Sequence, residues 1–182
     1  MRQQTFKKLA PPWALTEIAI KKGRQLARKY KAREDLVLAG VYLSDCVSFQ
    51  KSKGGFKRVR NHEELSAKFA EKYLRKWKAD KKDAEIILNA IRAHHEKVRP
   101  LSKEAEIVKH ADCFKFLSLE GIVAFMHILG ERNMPLNKAA NFAKLKAKEK
   151  LGYISLPGMK KEANKNYKEV VLLLNSISKI AK

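Results

Sequence analysis

Five residues in this chain are of the types, and in the order, that hydrolytic metal chemistry uses: Asp45, His62, His94, His95 and Asp112. Imidazole nitrogens and carboxylate oxygens hold the divalent ions that activate water. His94 and His95 close the run Ala90-Ile91-Arg92-Ala93-His94-His95, near the end of an amphipathic pattern. Neighbouring side chains on a helix diverge by about 100°, yet at a helix end both can turn toward one ion. Taken alone, an adjacent pair reads as solvated or capping residues. Asp45 ends the most apolar helical stretch of the chain, Leu36 to Leu43, where a carboxylate costs free energy unless it is paired or bound to a metal. Asp112 is flanked by apolar residues in Ala111-Asp112-Cys113-Phe114 and is expected to face the interior. His62 opens a helix, and by itself is also readable as a surface residue beside a cap. His110 and His127 read as core or helix-face residues.

The elements that must position these residues are helical throughout. Pro11-Pro12 ends an N-terminal arm and lets a helix start near Trp13, with Leu15, Ile18, Ala19, Leu26, Ala27 and Tyr30 at helical spacing. A second helix runs from Glu34 to about Cys46. It is apolar on all sides and so central, and Gly40 within it implies close packing on a neighbour. Ser48 to Arg60 breaks the pattern and reads as a flexible loop through Gly54-Gly55, with Lys51, Lys53, Lys57, Arg58 and Arg60 and no acid. Asn61 caps the next helix, which runs to about Lys78. Asp80 or Asp83 caps the following one, whose stripe is Ile86, Ile87, Ala90, Ile91, His94 and Val98. Further helices are predicted from Ser102 to about Phe116, Gly121 to Arg132, Pro135 to Gly152 and Lys160 to Ile180. No strand pattern competes. The spacing therefore predicts an all-α bundle of seven to eight helices, one domain over residues 13–182 behind an arm of residues 1–12.

Composition bounds the partners. Lys and Arg number 40 against 19 Asp and Glu, a formal charge of +21. Such an excess suits nucleic acid, a nucleotide or another polyanion, or else a lysine-rich solvated surface. Hydrophobic residues make up 45%, which excludes disorder by composition. Cys46 and Cys113 are too few for a disulfide framework or zinc ribbon, and in apolar helical context they read as buried thiols of a reducing compartment. No run approaches a membrane span and no secretory signal is legible, so a soluble cytoplasmic protein is expected. No Walker, Rossmann or Ser-His-Asp pattern is present.

The order of ligand residues resembles the HD superfamily of metal-dependent phosphohydrolases. Leu38 to Asp45 looks like that family's apolar helix ending in a His-Asp pair. Asn61-His62-Glu63-Glu64-Leu65 looks like the helix opened by its next histidine. Ile86 to His95 looks like the helix bearing one or two more, and Glu104 to Asp112 like the stretch ending in its last aspartate. The segments Phe142-Ala143-Lys144-Leu145-Lys146 and Ala163-Asn164-Lys165-Asn166-Tyr167 are similar to the closing helices of one small branch. Two departures stand out. The first helix has no histidine, Ala19 lying near the place, and Ser44 stands where the histidine of the His-Asp pair belongs. The resemblance implies an HD-like helical bundle and a phosphohydrolase with a partly degenerate site, acting on a nucleotide or other phosphoester. It implies one divalent ion on Asp45, His62 and the His94-His95 pair, with Asp112 as the last ligand position and Asp45 orienting the ion for catalysis. Lys53, Lys57, Arg58 and Arg60 would hold phosphate or nucleic acid. The alternative is a non-catalytic HD-like protein that binds RNA or another polyanion through its basic surface.

Overall fold

The computed structural model describes residues 11–53, 55–95 and 98–180, so the arm expected over residues 1–12 lies outside them except for Pro11 and Pro12. Among the described residues there are eight α-helices and one hairpin. They run α1 (Trp13–Lys29), α2 (Glu34–Leu43), β1 (Phe49–Ser52), β2 (Gly55–Arg58), α3 (His62–Lys76) and α4 (Lys81–Ala93). There follow α5 (Lys103–Phe114), α6 (Leu119–Glu131), α7 (Leu136–Gly152) and α8 (Lys160–Ile180). The contacts group the chain into two compact units that divide inside α5, between Ala111 and Asp112. The single-domain expectation over residues 13–182 spans both.

In the first unit, α1 starts where Pro12 ends the arm and buries Leu15, Ala19, Ile20, Gly23, Leu26 and Ala27, three to four residues apart. It packs on α2, and both α2 and α3 pack on α4. Leu36, Ala67, Ala70, Leu74, Ile87 and Ile91 form a core cluster joining α2, α3 and α4. Asp80 starts α4, its carboxylate accepting from the backbone N–H groups of Lys82 at 2.8 Å and Asp83 at 3.1 Å. Gly40 sits where α2 comes closest to its neighbours. A Cβ there would lie 2.8 Å from Val108 Cγ2 on α5 and 3.2 Å from Ala90 Cβ on α4.

The stretch expected as a flexible loop contains a short antiparallel hairpin instead, with Phe49 opposite Arg58 and Gln50 opposite Lys57. Its alternation was hard to read because the strands are short and rich in basic residues, with the buried Phe49 as an inward apolar signal. In the second unit α6 is capped by Ser118, whose Oγ accepts from Gly121 N–H at 3.1 Å. Helices α7 and α8 pack along one another, and α6 packs on both. Buried alanines 139, 140, 143 and 147 of α7 allow that close approach. Among the described residues no single helix is long and apolar enough to cross a membrane.

Candidate metal centre

Four of the five candidate ligands meet in the first unit. Asp45 lies in the turn that leaves α2, His62 opens α3, and His94 and His95 follow the last turn of α4. Asp45, His62 and His94 are buried, and His95 is half-buried. The imidazoles of His62 and His94 are 5.4 Å apart between ring centres, and those of His62 and His95 5.0 Å. One nitrogen from each of the three histidines lies within 4.8 Å of the others. His94 and His95, adjacent in sequence, do turn toward a common point, with rings 4.3 Å apart. The helix ends at Ala93, so the 100° divergence of helical neighbours no longer constrains them.

Hydrogen bonds decide which nitrogens can act as ligands. His94 Nδ1 is 2.6 Å from the Ile91 carbonyl oxygen, which can only accept. The proton therefore sits on Nδ1, and in the uncharged ring Nε2 keeps its lone pair. That Nε2 is buried and makes no hydrogen bond among the described residues. His62 is arranged alike. Its Nδ1 faces Glu63 Oε2 at 3.3 Å, while Nε2 receives an N–H from Arg58 Nη2 at 3.3 Å. Both Nε2 atoms lie near one carboxylate oxygen. Asp45 Oδ1 is 3.5 Å from His62 Nε2 and 3.8 Å from His94 Nε2. Ser48 holds that oxygen, its hydroxyl donating at 2.7 Å.

A carboxylate oxygen beside two imidazole nitrogens is a donor set whose chemistry suits a divalent cation. Ligands about 2.1 Å from a shared ion sit about 3.4 Å apart in tetrahedral coordination. The separations of 3.5 and 3.8 Å are close to that. The residues thus fit a divalent ion held by His62, His94 and His95, with Asp45 close to two of the three imidazoles. Burial keeps His62 neutral, pushing its pKa down to about 4, with Asp45 opposing the effect and the Arg58 charge adding to it.

Asp112 is placed in the second unit. Its carboxylate is gripped by two buried ammonium groups, Lys115 Nζ at 2.8 Å on Oδ1 and Lys150 Nζ at 2.7 Å on Oδ2. Burial opposes the charge on Lys150, yet Asp112 outweighs it and raises the lysine above its ordinary value. The rings of Phe116 and Tyr153 lie 5.8 and 5.5 Å from the same ammonium. Lys150, the last of four lysines at alternate positions from Lys144 in α7, is fully buried. A lysine in a helix of alternating lysines carries no sign of which one turns inward. Lys53, Lys57 and Arg60 are exposed on or beside the hairpin, and Arg58, also largely exposed, sends its guanidinium to His62. His110 is buried with Nδ1 donating to the Glu106 carbonyl at 2.7 Å, the core role expected of it. His127 is exposed beside Glu131. Both thiols are buried, and burial raises Cys46 to about 11.

Sequence reasoning missed Ser48, Glu63 and the Ile91 carbonyl as positioning groups. Glu63 had the clearest signal, because it adjoins His62. Ser48 and Ile91 lie three residues from the residues they hold, an offset with many innocent uses.

No curated protein sequence is a match for this chain. Among solved structures, that of Bacillus subtilis YpgQ is similar at a TM-score of 0.71 and 16% identity, over 97% of this chain and 91% of YpgQ. The structure of Bacillus subtilis YpgQ in complex with ADP is similar at 0.68 and 16%, over 92% and 85%. At such identity the likeness establishes a shared fold. A family model described as the HD domain matches residues 18–117. That stretch contains the apolar α2, its terminal Asp45 and the histidines at 62, 94 and 95, and it exceeds half the chain: this protein belongs to the HD-domain family.

Proposed function

We propose that the chain is a divalent-metal-dependent phosphohydrolase that acts on a nucleotide or another phosphoester. The observation that carries this reading is the convergence of His62, His94 and His95 beside Asp45, with the buried His94 Nε2 making no hydrogen bond among the described residues. A bound divalent ion supplies an activated water and polarises a phosphoryl oxygen. The chain's own residues do the rest. The Ile91 carbonyl and the Glu63 carboxylate keep the imidazole protons on Nδ1, so both Nε2 atoms face the centre. Ser48 holds the Asp45 carboxylate in place. The exposed Lys53 and Arg60, on and beside the hairpin that carries Arg58, add positive charge that attracts a phosphate. A nucleotide is favoured as substrate because the similar YpgQ fold has been solved with ADP.

The test pairs metal analysis with a phosphoester panel. Purified protein should hold one tightly bound divalent ion, and hydrolysis of a nucleotide should stop in EDTA. His94→Gln should lower both Mn2+ affinity and turnover by at least about 100-fold. Undiminished Mn2+ binding in His94→Gln, or no hydrolysis of any nucleotide with Mn2+, Mg2+, Co2+ or Zn2+, would sink the assignment. A second reading rests on a separate observation, the net +21 with five basic residues on and beside the hairpin: a surface that binds RNA or another polyanion without turnover.

A further inference from the structure

We propose that Arg58 is a latch on this centre. In the absence of an ion its guanidinium covers the His62 Nε2 lone pair; when an ion takes that lone pair, Arg58 is released to grip a phosphate group of the substrate. The inference rests on the metal-site reading and deepens it, since it names the residue that couples ion binding to phosphate binding.

Three observations support it. First, Arg58 Nη2 donates to His62 Nε2 at 3.3 Å. A guanidinium has only donors and does not deprotonate, and an imidazole nitrogen has one lone pair. An N–H and an ion cannot share it. The two positive charges also repel at such separation, so an ion that binds must drive Arg58 away. Second, among the described residues no carboxylate pairs with Arg58. Once off His62, its planar fork of donors is available for two phosphate oxygens. Third, the backbone that carries Arg58 is tied to the centre. Arg58 lies opposite the buried Phe49 in the hairpin, and Val59 N–H donates to the Ser48 carbonyl at 2.9 Å. Ser48 in turn holds Asp45 through its hydroxyl. The strand stays beside the ion while the long side chain turns, so a released guanidinium remains within reach of a phosphate bound there.

Linkage gives the proposal a signature that a simple basic surface lacks. A residue that competes with the ion and assists the anion must change the two affinities in opposite directions when it is removed. Arg58→Ala should bind Mn2+ about 5-fold more tightly, the equivalent of one released hydrogen bond. The same variant saturated with Mn2+ should bind ADP about 10-fold more weakly, having lost a charge-assisted fork. In EDTA its ADP affinity should equal that of the unaltered chain, because there Arg58 is already occupied by His62. Lys57→Ala is the control for charge alone, as strand alternation directs Lys57 away from the face that Arg58 uses. It should leave Mn2+ affinity within about twofold, as a surface substitution does. Both positions are exposed, so the variants should fold, and a melting curve checks this.

The measurements are Mn2+ and ADP titrations by calorimetry on the full chain, Arg58→Ala, Lys57→Ala and His94→Gln. Opposite shifts confined to Arg58→Ala, with the ADP loss seen only in Mn2+, support the latch. Unchanged or weaker Mn2+ binding in Arg58→Ala overturns it, as does an ADP loss of equal size in EDTA. If Mn2+ binding is abolished by His94→Gln but indifferent to Arg58→Ala, the latch fails and the metal centre stands. If the unaltered chain binds no Mn2+, both fail together.

Discussion

His62 shows how much of this site depends on one ring. It faces Glu63 on one nitrogen and Arg58 and Asp45 on the other, and burial holds it neutral with a pKa of about 4. An unfolded chain returns it to about 6.5. Between these values the unfolded state takes up a proton that the folded state refuses. Stability from this residue is therefore complete above about pH 6.5 and is lost as pH falls toward 4, below which both states are protonated. Melting temperature measured in EDTA should decline over that window, and His62→Gln should decline less steeply. Parallel slopes would mean that another group governs the acid limb. His62 was legible as a candidate ligand from its residue type and its place at the start of a helix. Its protonation state was not, because burial is set by residues far away in sequence.

Among the elements, α2 and the pairing of α5 with α7 are the most exposed to single changes. Helix α2 carries Asp45, and Gly40 lets it close on Ala90 and Val108. A valine there meets Val108 within the distance where a side chain or backbone must shift. Gly40→Val should destabilise by about 1–3 kcal/mol in urea unfolding, the usual cost of overpacking. A midpoint like that of the unaltered chain would show the seam to be looser than drawn. Lys150 and Asp112 join α7 to α5 across 38 residues, with both side chains buried. Asp112→Asn sets two buried ammonium groups, Lys115 and Lys150, against a neutral amide and should cost about 3–5 kcal/mol, whereas Lys150→Met leaves Asp112 its Lys115 ion pair and should cost less. A loss from Lys150→Met equal to that from Asp112→Asn in urea unfolding would contradict the shared grip. The helices themselves were legible because Pro12, Asp80, Ser118 and Pro135 mark starts locally. The hairpin was not, since its strands are four residues long and mostly basic.

At the scale of the whole molecule the net charge of +21 dominates. It predicts polyanion binding that weakens steeply with salt, each neutralised phosphate of a single strand contributing a slope of about 0.7. Neutralising Lys53, Lys57, Arg58 and Arg60 should weaken a labelled single-stranded RNA more than neutralising Lys160, Lys161, Lys165 and Lys168. Equal losses in a salt-dependent titration would show a diffuse lysine coat. No binding at low salt would remove the RNA reading. The lysine row of α7 is a poorer candidate surface than its composition implies, because Lys150 is fully buried and paired with Asp112.

The sequence by itself determined the helical class, most helix starts and the kinds of ligand available, because caps, periodicity and residue type act within one or two turns. The order of Asp45, His62, His94 and His95 likewise pointed to the HD-domain family before any coordinates. Only the tertiary structure decided which imidazole nitrogen carries a proton, that Arg58 reaches His62, and that Lys150 turns inward to Asp112. Those outcomes depend on distances of a few ångströms between segments far apart along the chain. A lone pair, a guanidinium and a buried ammonium look the same in sequence whether or not their partners arrive.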